Sequence, residues 1–330
     1  MDGTGSGEGD AMIRLSGLGK TYDDGTVAVQ DVDLTVRRGE LVVLVGPSGC
    51  GKSTTLKMIN RLIEPTTGTV EIDGEDVTDK DPVRLRRGIG YVIQQVGLFP
   101  HQRIAANVMT VPLLYGESRA NARRRADELL ELVGLDPATY ADRYPHQLSG
   151  GQRQRVGVAR ALAANPPVLL MDEPFGAVDP VVRVRLQDEF LRLQHELGKT
   201  VVLVTHDIDE AVRMGDRVAV FATGGRLAQV ATPAELLGRP ADDFVADFVG
   251  STRGLRRLAV TPIDPAHLEP LDGVKGGDLG AAIDVDSTLE EALAVLLRDD
   301  RNVIGVKQGA RFIGVLTPNG IHRALRASLR

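Results

Sequence analysis

Five consecutive apolar residues, Leu41 to Val45, run straight into Gly46-Pro47-Ser48-Gly49-Cys50-Gly51-Lys52-Ser53-Thr54. A segment apolar on both faces suits a strand covered by helices, so this stretch predicts a central strand of a parallel α/β sheet. The glycines that follow let backbone N–H groups curl around an anion where side chains would block the approach. The helix expected after them points its positive end at the same place. The pattern G-x-x-x-x-G-K-S is that of a P-loop, in which Lys52 reaches the β- and γ-phosphates of a nucleotide and Ser53 ligates Mg2+. The bland alternative is a Gly-rich turn before any helix, and the apolar strand before it weighs against that. Cys50 reads as a small residue of the loop, with a redox role as the lesser reading.

Two similar apolar runs follow far downstream, Val168 to Met171 and Val201 to Val204, each leading into polar residues. They predict a parallel core with functional groups at the carboxyl ends of its strands. Asp172, at the end of the first run, can hold Mg2+ through its water shell, and Glu173 stands where a base or water-orienting group would face a γ-phosphate. Two acids at a strand end are often only a turn or a cap; a P-loop in the same chain favours the catalytic reading.

Around this core, the stretch from Met12 to Val36 predicts a small antiparallel sheet, with runs at Val27–Val29 and Val32–Val36 separated by turns. A helix-rich insertion is expected over about residues 96–160, including a helix from Ala120 to Val133. Composition changes after residues 232–251, and residues 251–330 read as a separate small α/β module. Its expected elements are a leading strand at Leu258–Pro262, a strand near Ile283, a helix from Thr288 to Arg298, strands at Val303–Val306 and Phe312–Leu316, and a last helix. Residues 1–10, Gly and acid with little to bury, are expected to be disordered.

Length and composition remove several other classes. A chain of 330 residues suggests two domains, and 42% hydrophobic with 25% charged residues is ordinary globular composition. No stretch reaches the roughly 18 uncharged apolar residues of a membrane span, and the acidic N-terminus lacks the features of a signal peptide, so the chain is expected in the cytoplasm. The single cysteine excludes an intrachain disulfide. A net charge of −6 and 4% aromatics without Trp argue against a nucleic-acid partner.

Leu148-Ser149-Gly150-Gly151-Gln152, followed by Arg-Gln-Arg-Val, resembles the signature motif of ATP-binding-cassette (ABC) ATPases. Ser149 and glycine amides at a helix N-terminus offer donors to a γ-phosphate. The order P-loop, Gln94, signature motif, Asp172-Glu173, Asp179, His206 is similar to the whole cassette, over about residues 11–250. The resemblance implies an α/β P-loop NTPase fold with an antiparallel β subdomain and a helical subdomain. It implies a dimer of two copies, each ATP lying between the P-loop of one and the signature motif of the other. Gln94 resembles the glutamine that meets Mg2+ and the attacking water, with Gln95 a competitor for that place. Asp179 resembles the aspartate that aligns the facing subunit, in a loop that departs from the usual pattern at Gly176 and Val178. His206 resembles the switch histidine at the γ-phosphate. Tyr22 resembles the aromatic that stacks on adenine, and a half-buried sheet tyrosine is the alternative.

Three machines remain open on sequence: a membrane importer, an exporter's detached motor, and a soluble cassette protein. Residues 90–101, with Leu98-Phe99-Pro100-His101, are similar to ATPases of glycine betaine, choline or related osmoprotectant importers. That resemblance implies separate transmembrane permease subunits, a substrate-binding protein, and a place on the cytoplasmic face of the membrane. The C-terminal module resembles a single cystathionine-β-synthase (CBS) domain, through Gly314-Val-Leu-Thr317-Pro-Asn319-Gly320. Gly320 stands at the position of that family's ribose-binding aspartate, with Asn319 a displaced substitute.

Overall fold

The computed structural model describes residues 10–93, 97–176, 178–271, 281–298 and 303–328. The strands are β1 (Ala11–Thr21), β2 (Val27–Arg37), β3 (Leu41–Val45), β4 (Thr67–Ile72), β5 (Glu75–Asp76), β6 (Ile89–Val92), β7 (Val168–Asp172), β8 (Thr200–Thr205), β9 (Arg217–Ala222), β10 (Arg226–Ala231), β11 (Ala282–Asp284), β12 (Ile304–Gln308) and β13 (Arg311–Leu316). They and their helices form two compact units, one ending at Asp207 and taking in Met214–Leu227, the other Ile208–Arg213 with Ala228–Arg330. That division falls upstream of the composition break at residue 251.

In the first unit β9, β3, β8, β7 and β6 lie side by side, and the pairs are parallel throughout. Every residue of β3, β7 and β8 is buried, as expected of strands apolar on both faces. Each buried Val or Leu here contributes about 1.5–3 kcal/mol, so the three strands anchor the unit. Parallel pairing aligns their carboxyl ends, which sets the P-loop after β3 in line with Asp172 at the end of β7 and His206 after β8.

The antiparallel sheet runs β2-β1-β4-β5. The two runs expected to be separated by a turn are one strand, β2. Asp31 breaks the run with φ 48°, but as an irregularity within the strand, since the β1–β2 register shifts yet pairing continues. The helix-rich stretch holds helices Ile104–Leu114, Arg119–Leu132, Pro137–Tyr140 and Gly150–Leu162.

The second unit contains a three-stranded sheet, β11 parallel to β12 and β12 antiparallel to β13. Helices Leu289–Arg298 and Pro318–Ala327 cover it, with Leu289, Ala292, Ile304, Val306, Leu316 and Ile321 in the core. The expected leading strand at Leu258–Pro262 is instead the end of a helix, Arg253–Val260, followed by an isolated bridge from Pro262 to Thr288. The reason is amphipathic: Leu258 is buried together with Arg257, whose guanidinium donates to Leu325 O and Ser328 Oγ, so one face of this arginine-rich helix packs inward. Residues 1–9, where the disordered start was expected, lie outside the described residues.

Candidate nucleotide-binding site

The loop after β3 is shaped by glycines that nothing larger can replace. Gly46 has φ 153°, and a Cβ there would meet Phe221 O at 2.3 Å; Gly51 has φ 92°, and its Cβ would meet Ala28 O at 2.2 Å. The helix Lys52–Ile59 then starts with no side chain capping its first amides. Open amides and a positive helix end together make an anion cradle. Lys52 is buried, and its Nζ donates to Gly46 O and Pro47 O, each at 2.8 Å, with Cys50 Sγ at 3.4 Å. The ammonium therefore sits within the loop, beside the surface that Ser48 and Gly49 expose. Thr54, in the first turn of the helix, is half-buried, and Cys50 is fully so.

At the tip of β7, Asp172 Oδ1 accepts from Ser53 Oγ at 2.9 Å, joining the P-loop helix to the strand. Burial, and after it the charge of Glu173, pushes the Asp172 carboxyl above the usual carboxylate range; the Ser53 hydrogen bond, Lys57 and Lys52 oppose that. A buried carboxylate short of positive charge, with a hydroxyl on it, is a fitting donor set for Mg2+, which takes one or two protein oxygens and completes its shell with waters and phosphates. Among the described residues no group of three or more His, Cys, Asp or Glu is placed to hold a metal.

Glu173 is a non-glycine residue in left-handed conformation, φ 47°, with its N–H donating to Val204 O at 2.9 Å. Such backbone is costly and is kept where it aims a side chain. Here it brings Glu173 Oε1 to 3.1 Å from His206 Nδ1, across from β7 to the end of β8. Lys52, Ser53, Asp172, Glu173 and His206 thus form one connected cluster.

The other expected site residues lie on other elements. Ser149 caps the helix Gly150–Leu162: Ser149 Oγ accepts from Gln152 N, Gln152 Oε1 accepts from Ser149 N, and Gln152 Nε2 donates to Tyr140 Oη. Ser149 is exposed and Gly150 and Gly151 are half-buried, so this helix end faces outward. Asp179 caps the next long helix, Pro180–Leu197, through Val181 N and Val182 N. A Cβ at Gly176 would make only ordinary contacts, the nearest at 3.6 Å, so its missing side chain is no steric demand. Tyr22 lies on the turn after β1 at 39% exposure with Lys20 Nζ over its ring, available to stack on a planar base. Gln94 and Gln95 lie outside the described residues.

Two contributors were not singled out from sequence. Tyr91, on β6, lies near Asp172; burial and then that carboxylate push its phenol up to about 12. Asn107, fully buried, accepts from Phe99 N and donates to the carbonyls of Phe99, Gln102 and Arg103, holding the loop that follows Gln94. Only the sheet order and the loop's path bring these out.

Comparison with known proteins identifies the family. The model of the family described as ABC transporter matches residues 29–176. A choline transport ATP-binding protein of Bacillus subtilis is 50% identical over 290 residues, 88% of this chain and 74% of that protein. A glycine betaine/carnitine/choline transport ATP-binding protein of the same organism is 54% identical over 242 residues, 73% of this chain; the match spans 63% of that relative, just under two thirds of its length. A bacterial ABC transporter cassette solved as a dimer superposes with a TM-score of 0.62 at 41% identity, over 67% of this chain and 99% of the cassette. The same cassette has been solved in a post-hydrolysis state bound to ADP and Pi.

Proposed function

This chain belongs to the ABC transporter family, and on that premise we propose that it is the ATP-hydrolysing subunit of an importer for a quaternary amine osmoprotectant such as glycine betaine, choline or carnitine. The observation that carries the ATPase half is the connected cluster from Lys52 through Ser53 and Asp172 to Glu173 and His206. What supports the cargo is the identity, at 50% and 54%, to relatives named for choline and for glycine betaine, carnitine and choline transport.

In the proposed mechanism ATP enters with its base on Tyr22 and its phosphates over the amides of Gly46–Thr54. Lys52 gives its ammonium to the β- and γ-phosphates. Ser53 and Asp172, with Gln94, would hold Mg2+, which neutralises charge on the β- and γ-oxygens when bound. Glu173 accepts the proton of the attacking water, and His206 holds the Glu173 carboxylate in place and reaches the γ-phosphate. Catalysis is mostly positioning and charge stabilisation. A second copy supplies Ser149, Gly150, Gly151 and Gln152 to the γ-phosphate from outside, and Asp179 orders the seam between the copies. Closure of the pair on ATP drives separate permease subunits through the loop after Gln94, at the cytoplasmic face of the membrane, with a substrate-binding protein delivering cargo. No helix among the described residues is long and apolar enough to cross a membrane, so translocation needs those partners. We read residues 251–330 as a single CBS-like module, supported by the β11-helix-β12-β13-helix order. Its Thr317 caps the last helix through Gly320 N and donates to Glu269 Oε1, which also takes Arg323, so a carboxylate of the module already occupies this helix end.

The test is uptake of labelled glycine betaine, choline and carnitine by cells that depend on this chain. Uptake of at least one should fall to background when the chain carries Glu173→Gln. Uptake of all three at the parent level in that strain would overturn the cargo assignment.

A further inference from the structure

Gln152, the last residue of the signature motif, keeps both ends of its side chain within the chain. Its Oε1 accepts from Ser149 N at 2.8 Å, and its Nε2 donates to Tyr140 Oη at 3.1 Å. A backbone N–H can only donate, so Ser149 N fixes the amide with its oxygen inward and turns the NH2 group to the phenol. Ser149 N is thereby satisfied, and Ser149 Oγ accepts from Gln152 N at 3.2 Å. What this end of the helix can offer an anion is then well defined. It comprises the hydroxyl hydrogen of Ser149 and the amides of Gly150 and Gly151, which as the first two of the helix have no partner within it.

A glutamine side chain has three rotatable bonds, and a single bond to Ser149 N would leave its far end free to swing. Tyr140 supplies the second hold, and it is itself firmly placed. It closes the short helix Pro137–Tyr140, whose start Asp136 caps through Ala138 N and the Thr139 hydroxyl. The segment that follows is tied to the helix Ile104–Leu114, since Ala105 N donates to Ala141 O at 2.9 Å and Ile104 N to Arg143 O at 2.8 Å. Over the Tyr140 ring lies the Arg143 guanidinium, 4.9 Å from its centroid. The phenol is a fixed point against which the Gln152 amide can rest.

We propose that Tyr140 is a positioning residue for the ATP site of the facing copy, acting through Gln152 on Ser149 and the two glycine amides and touching no nucleotide itself. With the phenol in place, the cap at Ser149 is already shaped for the γ-phosphate before the copies meet. Without it the Gln152 amide swings, Ser149 N loses its acceptor, and part of the ordering must be done during closure. This role rests on the reading that the signature end of one copy closes on the nucleotide held by the other.

The test uses the full chain carrying Glu173→Gln, with ATP and Mg2+, and reads the dissociation constant of the dimer by sedimentation equilibrium. Tyr140→Phe keeps the ring and its contact with Arg143 and removes only the hydroxyl. One hydrogen bond corresponds to about 3–10-fold, and a closed pair uses two signature ends, so the constant should rise about 10–100-fold. ATP affinity of the single chain, measured below that concentration, should stay at the parent value. Gln152→Leu, which empties the same cap, should weaken pairing at least as much, and adding Tyr140→Phe to it should change the constant by less than about twofold. A merely structural tyrosine would give the same loss in both backgrounds, and that result, or an unchanged constant for Tyr140→Phe alone, would overturn the proposal. Should the Glu173→Gln chain fail to pair with ATP at all, the two-copy reading falls and takes this role with it; if it pairs and Tyr140→Phe pairs as tightly, only the role of Tyr140 falls.

Discussion

Replacing Glu173 by Gln should lower ATP hydrolysis by about 10²–10⁴-fold, the usual contribution of a positioned general base, while ATP affinity stays within about threefold of the parent. The substitution keeps the shape of the side chain and removes only its ability to take a proton. Its neighbour His206, 3.1 Å away, can still hydrogen-bond to an amide, so the local geometry is retained. The left-handed backbone at Glu173 is equally available to Gln. The phosphate-binding groups are untouched, which is why binding and hydrolysis should separate. Phosphate release measured beside equilibrium ATP binding checks this, and hydrolysis at the parent rate would remove Glu173 from the role of base.

Lys52→Ala should act differently, by weakening ATP binding itself. The lost ammonium makes charge-assisted hydrogen bonds to two phosphates, each worth about 1.5–3 kcal/mol, so affinity should fall on the order of 10²–10⁴-fold. A second loss lies within the protein: Gly46 O and Pro47 O, both bonded to Nζ at 2.8 Å, lose their donor, and the loop loses a brace. Lys52→Arg should not restore activity, because the buried point charge between two carbonyls leaves no room for a planar fork. Calorimetric titration with ATP checks both variants, and binding within tenfold of the parent for Lys52→Ala would contradict the account.

What sequence could show here follows from how local each feature is. The P-loop is contiguous, and its glycines and lysine carry their meaning in order. The fully apolar runs at Leu41–Val45 and Val201–Val204 announce buried parallel strands because nothing in them is suited to solvent. The pairing of Glu173 with His206 is not local: it depends on β7 and β8 being neighbours, and the sequence analysis sets each residue at the γ-phosphate without joining the two. Leu258–Pro262 reads as a strand from a short apolar run, whereas its first three residues are the end of helix Arg253–Val260, in which Arg257 is buried on backbone and hydroxyl oxygens. Gln154 is buried in a polar run, Gln152-Arg-Gln-Arg155, that reads as an exposed face, and only tertiary packing reveals that one member of it is inside.

The central claim is that each ATP site is completed by the signature helix of a second copy, and the mass of the Glu173→Gln chain in solution tests it most directly. Without nucleotide, light scattering should return the single-chain mass of 35.4 kDa; with ATP and Mg2+ it should return twice that value, and Ser149→Arg in the same background should keep it single. A mass that ATP leaves unchanged, or that doubles equally with Ser149→Arg, would contradict the account.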